Sequence, residues 1–290
     1  MAGIKELRGR IKSVGNIRQI TRAMEMVATT KLRRFQDRAI ASRPYSEEIS
    51  GLVGRLCRVL GDGAAGQPLL TPGTGDKTLA LVVTSDRGLC GAYNSNLLRK
   101  MEIWRREHGR PIDYLVIGRK GFGYMDRRDF SIKRYLAEPS LEATDYRHAA
   151  ITARMLVREF LSGEYRDVML IFTAFESLVK YVPKVVTLLP VSPDELVGDA
   201  DSKAQAETLM EPGPEAIFES LVPRYLETRV YNALLESLTS EYASRRFAMT
   251  NATDAATDMQ RELRGRYNKL RQEKITKELL DIVGGVEALK

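Results

Sequence analysis

The 290-residue chain is 43% apolar and 29% charged, an ordinary composition for a folded protein, and it is long enough for one large domain or two small ones. It has no run of 18 or more apolar residues, which argues against a membrane-spanning helix, and its N-terminus lacks the apolar segment of a signal peptide. We therefore expect a cytosolic protein, with a peripheral place in a membrane assembly left open, and the cysteines Cys57 and Cys90 fit a reducing compartment.

The first predicted element is a long helix over residues 1–60. At its start the apolar residues step by three and four, the spacing of a coiled-coil seam: Ile4, Leu7, Ile11 and Val14. Two further steps of three, to Ile17 and Ile20, predict a stammer, which overwinds a supercoil without breaking the helix. Pro44 is the one interior helix breaker, and we expect a kink near it.

The middle of the chain has a different pattern. Residues 61–76 are rich in Gly and Pro and predict a linker. From residue 77 to 191 short apolar runs alternate with amphipathic stretches, which predicts an α/β domain with a mostly parallel sheet. Residues 192–213 are polar and acidic and predict a loop.

A second long helix is predicted over residues 214–290, because a helical apolar period continues there with few interruptions. Pro223 should kink or restart it. Two such helices at opposite chain ends each need a partner for an apolar stripe. We therefore expect them to pack together as an antiparallel or crossing pair, which makes the fold α/β with a long coiled coil.

Positive charge is concentrated in the two terminal segments. Residues 1–43 hold eleven Lys or Arg and three acids, a net +8, so the remaining residues carry −1 of the total of +7. A second basic concentration lies between Arg261 and Lys277. This asymmetry points to an anionic partner for the ends, which could be nucleic acid, a membrane surface or an acidic protein.

The basic side of the first helix could also be an ordinary solvated surface. Its excess of one sign is larger than solubility needs, since exposed helices usually mix charges. Nucleic-acid binding would favour more aromatic residues than the single Phe35 of the first 43. The charge better suits diffuse attraction to acidic protein surfaces, without fixed ion-pair partners.

Little in the sequence predicts catalysis. The segment SDRGLCG, residues 85–91, follows a strand and precedes a helix, but it matches neither common phosphate-loop spacing, so a tight turn is favoured over a nucleotide site. The chain has only two histidines, His108 and His148, so the sequence gives little indication of a metal site or of a histidine general base. Cys90 stands near Arg87 at a helix start, where a thiol pKa can be lowered, yet a packed thiol is the better interpretation.

Three segments together closely resemble the gamma subunit of F-type (rotary) ATP synthase. They are IRQITRAMEMVATTKLRR at 17–34, SDRGLCGAYNSN at 85–96 and YNKLRQEKITKELLDIVGG at 267–285. The resemblance implies an antiparallel left-handed coiled coil of the terminal helices and a Rossmann-like α/β domain at its base. It also implies a central-stalk rotor that couples proton flow through the membrane ring to ATP synthesis or hydrolysis, on the cytoplasmic side of a bacterial inner membrane.

The resemblance further implies partners and contact residues. The partners are three alpha and three beta subunits of the catalytic hexamer, an epsilon-type subunit and the membrane ring of c-type subunits, with no nucleic acid, cofactor, metal or catalytic residue in this chain. Contacts with the catalytic subunits near the top of the shaft fall on Arg271, Gln272 and Thr276. Residues that face their acidic lever, or are linked to it in coupling, are Arg22, Met24, Lys31, Arg33, Arg34 and Arg245. Tyr45 and Glu211 approach the ring and the epsilon-type subunit.

Two other classes of function stay open at the level of the residues. A nucleic-acid-binding coiled-coil protein would explain the basic ends but not the three segments, and its binding would fall steeply with salt. A nucleotide-dependent enzyme would need a phosphate loop that the sequence does not contain, and it would bind ATP as an isolated chain.

Overall fold

The computed structural model describes residues 2–60, 67–192 and 213–287. The chain divides into two compact units: unit A, Met1–Thr29 with Arg245–Lys290, and unit B, Thr30–Ser244. Each of the two long helices, α1 (Ala2–Leu60) and the helix Pro214–Glu287, supplies residues to both units. Most of the predicted linker lies within the description, but residues 61–66, the predicted loop after residue 192 and Glu211 lie outside it.

Neither interior proline ends its helix. Helix α1 continues through Pro44, and the long C-terminal helix continues through Pro223, where a restart was one expectation. A proline removes one backbone hydrogen bond from a helix, and burial of side chains around it can offset that loss. In unit B the turns beside Pro223 bury Phe218, Val222 and Leu226.

Unit A is an antiparallel helix pair. On α1 the positions turned away from solvent keep an unbroken repeat of three and four: Ile4, Leu7, Ile11, Val14, Arg18, Thr21, Glu25 and Ala28. The predicted stammer is therefore wrong. The seam takes the polar Arg18, Thr21 and Glu25, while Ile17 and Ile20 are 53% and 59% exposed.

Side-chain contacts fix the register of this pair. Arg8 Nη2 donates a hydrogen bond to the hydroxyl of Tyr267 at 2.9 Å. Thr253 Oγ1 donates to Thr21 Oγ1 at 2.8 Å, and Thr250 Oγ1 donates to Glu25 Oε1 at 3.0 Å. The contact positions rise along α1, from 8 to 21 to 25, while they fall along its partner, from 267 to 253 to 250, as an antiparallel pair requires. The register therefore depends on polar contacts, which are directional, and not on apolar packing alone.

Unit B contains a five-stranded sheet. Its strands are β1 (Lys77–Val83), β2 (Ile112–Ile117), β3 (Ile132–Leu136), β4 (Tyr165–Phe175) and β5 (Tyr181–Leu189), a list in chain order. Their order across the sheet is β3-β2-β1-β4-β5, and the first four are parallel while β5 runs antiparallel to β4. The predicted α/β class with a mostly parallel sheet is confirmed.

Three helices complete this α/β part of unit B: α2 (Tyr93–His108), α3 (Arg119–Asp126) and α4 (Tyr146–Leu161). We number the C-terminal helix Pro214–Glu287 as α5. Strand β1 is buried along nearly all its length, as a parallel strand covered on both faces should be. This explains why its sequence is a continuous apolar run instead of an alternating one.

Helix α5 is bound to the α/β part by side-chain hydrogen bonds. Ser240 Oγ donates to the carbonyl of Thr173 on β4 at 3.2 Å, and Ser244 Oγ donates to the carbonyl of Cys90 at 2.7 Å. The carboxylate of Glu227 is almost fully buried and accepts from Arg154 Nε at 2.8 Å. Small hydroxyl residues allow α5 to approach the sheet closely, and Ser240, Ser244 and Glu227 each form a hydrogen bond with the α/β part.

The turn after β1 is organised by one carboxylate. Asp86 Oδ1 accepts from the backbone N–H of Arg119, the first residue of α3, at 3.1 Å. Its Oδ2 accepts from the backbone N–H of Leu141 at 3.0 Å. Cys90 in the same turn is a buried free thiol. Asp86 thus joins three separate loops at the carboxyl ends of the strands.

We expect Gly9→Ala to stabilise unit A more than Gly15→Ala does. Alanine in a helix interior is about 1 kcal/mol more favourable than glycine. At Gly9 nothing lies within 4 Å of the added Cβ, whereas at Gly15 it would lie 2.9 Å from Gln260 Nε2. Hydrogen exchange of the amides of residues 4–28 measures both gains, and equal gains would contradict the described seam.

We expect Asp86→Ala to destabilise unit B by about 1–3 kcal/mol, because the half-buried N–H of Leu141 and the exposed N–H of Arg119 both lose a charged acceptor. Asp86→Asn should cost less, since its amide keeps one acceptor oxygen. Urea unfolding followed by the fluorescence of Trp104, the only tryptophan, reports on unit B. Asp126→Ala, an exposed change on α3, is the control, and a cost for Asp86→Ala no larger than for the control would refute the role of Asp86.

Candidate functional site

Residues 268–283 of α5, which lie beyond the contact between Arg8 and Tyr267, are exposed on every side of the helix. The large apolar side chains among them are 40–65% exposed: Leu270, Ile275, Leu279, Leu280, Ile282 and Val283. Three predicted contact residues lie in this segment and are brought together by it: Arg271, Gln272 and Thr276.

Unit A also exposes apolar side chains beside its polar seam. On α1 these are Ile17, Ile20, Met26 and Val27, and on α5 they are Phe247 and Met259, each between 53% and 60% exposed. Exposed apolar patches on a protein are typical of surfaces that contact another molecule. The helical period placed Ile17 and Ile20 in the seam, so sequence reasoning did not predict that they are exposed.

The other predicted residues of unit A differ in exposure. Arg22 lies on the open surface of α1, and Met24 is half-buried. Arg245 is buried, at 7% exposure, and therefore does not lie on an open surface. Arg22, and in part Met24, are therefore accessible to a partner in this conformation, whereas Arg245 is not.

In unit B the basic residues of α1 divide into two groups. Arg33 and Arg34 are exposed, and in the part of the chain that the structure describes no carboxylate pairs with either. Lys31 instead pairs with Glu142 at 2.5 Å, and Arg38 donates to the carbonyl of Thr144 at 3.1 Å. The expectation that this basic side lacks fixed partners is therefore wrong for Lys31 and Arg38.

Tyr45 is exposed on α1 in unit B, at 53%, beside a cavity of about 390 Å³. The cavity lies between α1, α5 and the end of β4. Glu236 lines it, and burial raises the pKa of this carboxyl group. Glu236 accepts a hydrogen bond from the backbone N–H of Phe175 at 3.4 Å, so this acid has a structural contact.

A second cavity, of about 590 Å³, opens at the carboxyl ends of β1, β2 and β3. Open α/β sheets commonly bind ligands at this edge, with phosphate at a helix N-terminus. Here Asp86 already occupies the N-terminus of α3, and Glu138, Glu142 and Glu241 add negative charge to the lining. Arg87 and Arg119 also line this cavity, but four carboxylates outnumber them, so the net charge of the lining disfavours a phosphate group and favours the tight-turn interpretation.

The two histidines also have structural contacts. His108 Nε2 lies 2.6 Å from Thr78 Oγ1, and burial lowers the pKa of its imidazole. His148 belongs to the N-terminal cap of α4, where its backbone N–H donates to Asp145 Oδ1 at 3.0 Å. Among the described residues no cluster of His, Cys, Asp and Glu could hold a metal ion. None of the described helices is long and apolar enough to cross a membrane.

Comparison with known proteins agrees with the resemblance of the three segments. The family model described as ATP synthase matches residues 3–289. The ATP synthase gamma chain of Geotalea uraniireducens is 36% identical over 293 residues, and that of Moorella thermoacetica is 39% identical over 290, with all of both chains covered in each case.

Solved structures with a similar fold come from mitochondrial ATP synthases. A chain of the central stalk and c-ring from Tetrahymena thermophila is 28% identical, with 80% of this chain and 99% of that chain covered and a TM-score of 0.60. A rotor chain from Euglena gracilis is 20% identical, with 94% and 99% covered and a TM-score of 0.66, a likeness of fold. The suspected kinship is confirmed, and this chain belongs to the ATP synthase gamma chain family.

Proposed function

We propose that the exposed surface of unit A is the surface that contacts the catalytic hexamer while this chain rotates. Membership of the gamma chain family makes the chain the central-stalk rotor subunit of ATP synthase. The chains of similar fold are named as parts of a central stalk and a rotor. The surfaces and residues that perform the work are our proposal.

One observation carries this proposal: unit A places polar residues in part of its seam and exposes apolar residues on its outside. Thr21 and Thr253 bond to each other between the helices, while Ile20 and Val27 are 59% and 56% exposed. A helix pair that worked alone in water would gain from the reverse arrangement. Burial of each such aliphatic side chain contributes about 1.5–3 kcal/mol of free energy. Partner subunits that surround unit A would provide this burial.

The mechanism follows from the asymmetry of this surface. As the chain rotates, each of three catalytic sites meets a different side of unit A in turn. A side that contacts one conformation of a catalytic subunit better than another shifts that subunit's nucleotide affinity by the difference. Arg271, Gln272 and Thr276 are the proposed contacts at the end of α5, with Arg22 and Met24 on α1. Arg245 is proposed to act on coupling from within the helix pair.

The remaining predicted residues complete the proposed rotor. Arg33 and Arg34, which are exposed on α1 and have no carboxylate partner among the described residues, would attract the acidic lever of the catalytic subunits diffusely, as a sliding contact requires. Tyr45 and Glu211 would approach the membrane ring and the epsilon-type subunit. The chain itself would be non-catalytic, without cofactor or metal, and would lie peripherally on the cytoplasmic side of a bacterial inner membrane, carrying torque from proton flow through the ring.

Co-purification tests this role. The chain is expressed with the alpha and beta subunits, and its ratio to them is measured in the isolated hexamer. We expect one copy of this chain for three catalytic sites, and ATP hydrolysis by the assembly that drives its rotation. A chain that fails to enter the hexamer, or enters it in another ratio, would overturn the proposal.

We expect the double charge reversal of Arg33 and Arg34 to Glu to lower ATP-driven proton pumping per ATP hydrolysed by at least about threefold, because diffuse attraction becomes repulsion. Thermal stability of the isolated chain should change little, since both side chains are exposed. The matched control reverses Arg99 and Lys100, exposed on α2. Pumping at wild-type efficiency in a normally assembled enzyme would reject the assignment.

We expect Ile20→Ser with Val27→Ser to change the stability of the isolated chain by less than about 0.5 kcal/mol per site. Retention in the hexamer should fall by roughly tenfold or more, because two buried aliphatic groups are lost from the interface. Ile151→Ser on α4, where the side chain is 57% exposed, is the control with equal exposure. Equal retention of the double variant and the control would count against a surface on α1 that contacts the catalytic hexamer.

A further inference from the structure

We propose that Lys31, Glu142 and Tyr242 form a clamp that locks the α/β part of unit B to both long helices, so that torque passes through it. This inference rests on the proposed rotor function. Lys31 belongs to α1, Tyr242 belongs to α5, and Glu142 lies in a 3-10 turn, Leu141–Ala143, that follows β3. One carboxylate therefore joins two helices that are distant in sequence.

Each of the three side chains of the clamp contacts the other two. Lys31 Nζ lies 2.5 Å from Glu142 Oε2 and 3.3 Å from the hydroxyl of Tyr242. The hydroxyl of Tyr242 donates to Glu142 Oε1. Each carboxylate oxygen thus accepts from a different helix, and Lys31 and Glu142 are each about one-third exposed. Partial burial shields the pair from the screening that weakens surface ion pairs.

Neighbouring contacts hold both sides of the clamp in place. The ring of Phe35, one turn along α1 from Lys31, stacks on the ring of Tyr242 with centroids 5.5 Å apart. Arg38 continues the same side of α1, donating to the carbonyl of Thr144 at 3.1 Å and to the hydroxyl of Tyr231 at 3.2 Å. The turn that carries Glu142 is therefore bonded to α1 at two levels and to α5 through Tyr242, and Arg38 bonds the two helices to each other beside it.

The turn is also anchored to the sheet. The backbone N–H of Leu141, next to Glu142, donates to Asp86, and Asp86 accepts from the start of α3 as well. A continuous path of hydrogen bonds thus runs from the loops at the carboxyl ends of β1 and β2 to α1 and α5. Apolar packing is non-directional and permits sliding, whereas charged hydrogen bonds resist a change of angle. These bonds would keep the helices from twisting against the sheet when the rotor is under load.

The clamp gives Lys31 a different role from the one that the family resemblance implies. If Lys31 faced the acidic lever of the catalytic subunits, its partner would be on another chain. In unit B its Nζ is already held by Glu142 and Tyr242. A charge exchange separates the two roles, because it restores a pair within this chain but leaves the wrong sign toward an acidic partner.

The experiment uses ATP synthase reconstituted in vesicles with Lys31→Glu, Glu142→Lys or both changes in this chain. The readout is proton pumping per ATP hydrolysed, which folding alone does not alter once the enzyme is assembled. Each single reversal should lower this ratio by roughly threefold or more, and the double exchange should restore most of it, as pairs in one network behave. Tyr242→Phe, which keeps the ring on Phe35 and removes the hydroxyl, should cause a smaller fall.

Two results would overturn the clamp: single reversals without effect on the ratio, or a double exchange no better than Lys31→Glu alone. The second result would assign Lys31 to an acidic partner.

Arg33→Glu, on the same helix but without a partner in the described residues, is the control that Glu142→Lys should not rescue. Trp104 fluorescence checks folding, and if a reversal fails to fold, Lys31→Met and Glu142→Gln replace it, with no fall in the ratio counting against the clamp. A wild-type chain that does not enter the enzyme would refute the rotor function itself, a result distinct from any of these.

Discussion

The antiparallel register of unit A is the constraint on which its whole surface depends. Polar contacts at Arg8–Tyr267, Thr21–Thr253 and Glu25–Thr250 hold this register. A slip by one residue would break these hydrogen bonds and rotate new side chains into the seam. The register therefore decides that Ile17 and Ile20 face outward. A rotor needs such a defined surface, because each side must meet its partners in a fixed order.

Much of the fold could be predicted, because long helical periods and short buried runs are strong local patterns. The presence of two long terminal helices and of a mostly parallel sheet between them follows from these patterns. The seam of unit A could not, since local hydrophobicity favours Ile17, Ile20 and Val27 over Thr21 and Glu25. Thr21 and Glu25 occupy the seam because the partner helix places Thr253 opposite Thr21 and Thr250 opposite Glu25. A function that requires apolar residues outside overrides the rule that usually assigns them inside.

The candidate site, like the fold, could be predicted from the sequence only in part. The segments that resemble the family located the exposed end of α5 and the open arginines of α1. They did not distinguish Lys31 from Arg33, because nothing in the sequence near Glu142 marks a carboxylate that pairs with a lysine 111 residues earlier. The role of Asp86 was equally hidden, since its two bonds go to backbone groups on other loops. Pairs of this kind are set by tertiary approach, and a single sequence does not record it.

The polar seam and the exposed apolar side chains have one energetic consequence. Both lower the stability of unit A as an isolated helix pair, and a partner that covers the apolar side chains offsets part of this loss. Binding to the folded pair then stabilises it by mass action, so folding of unit A and its assembly are linked. Unit B shows the opposite design, with Glu227 and Ser240 satisfied inside the chain. The part that meets changing partners depends on them for stability, while the part proposed to transmit torque satisfies its bonds internally.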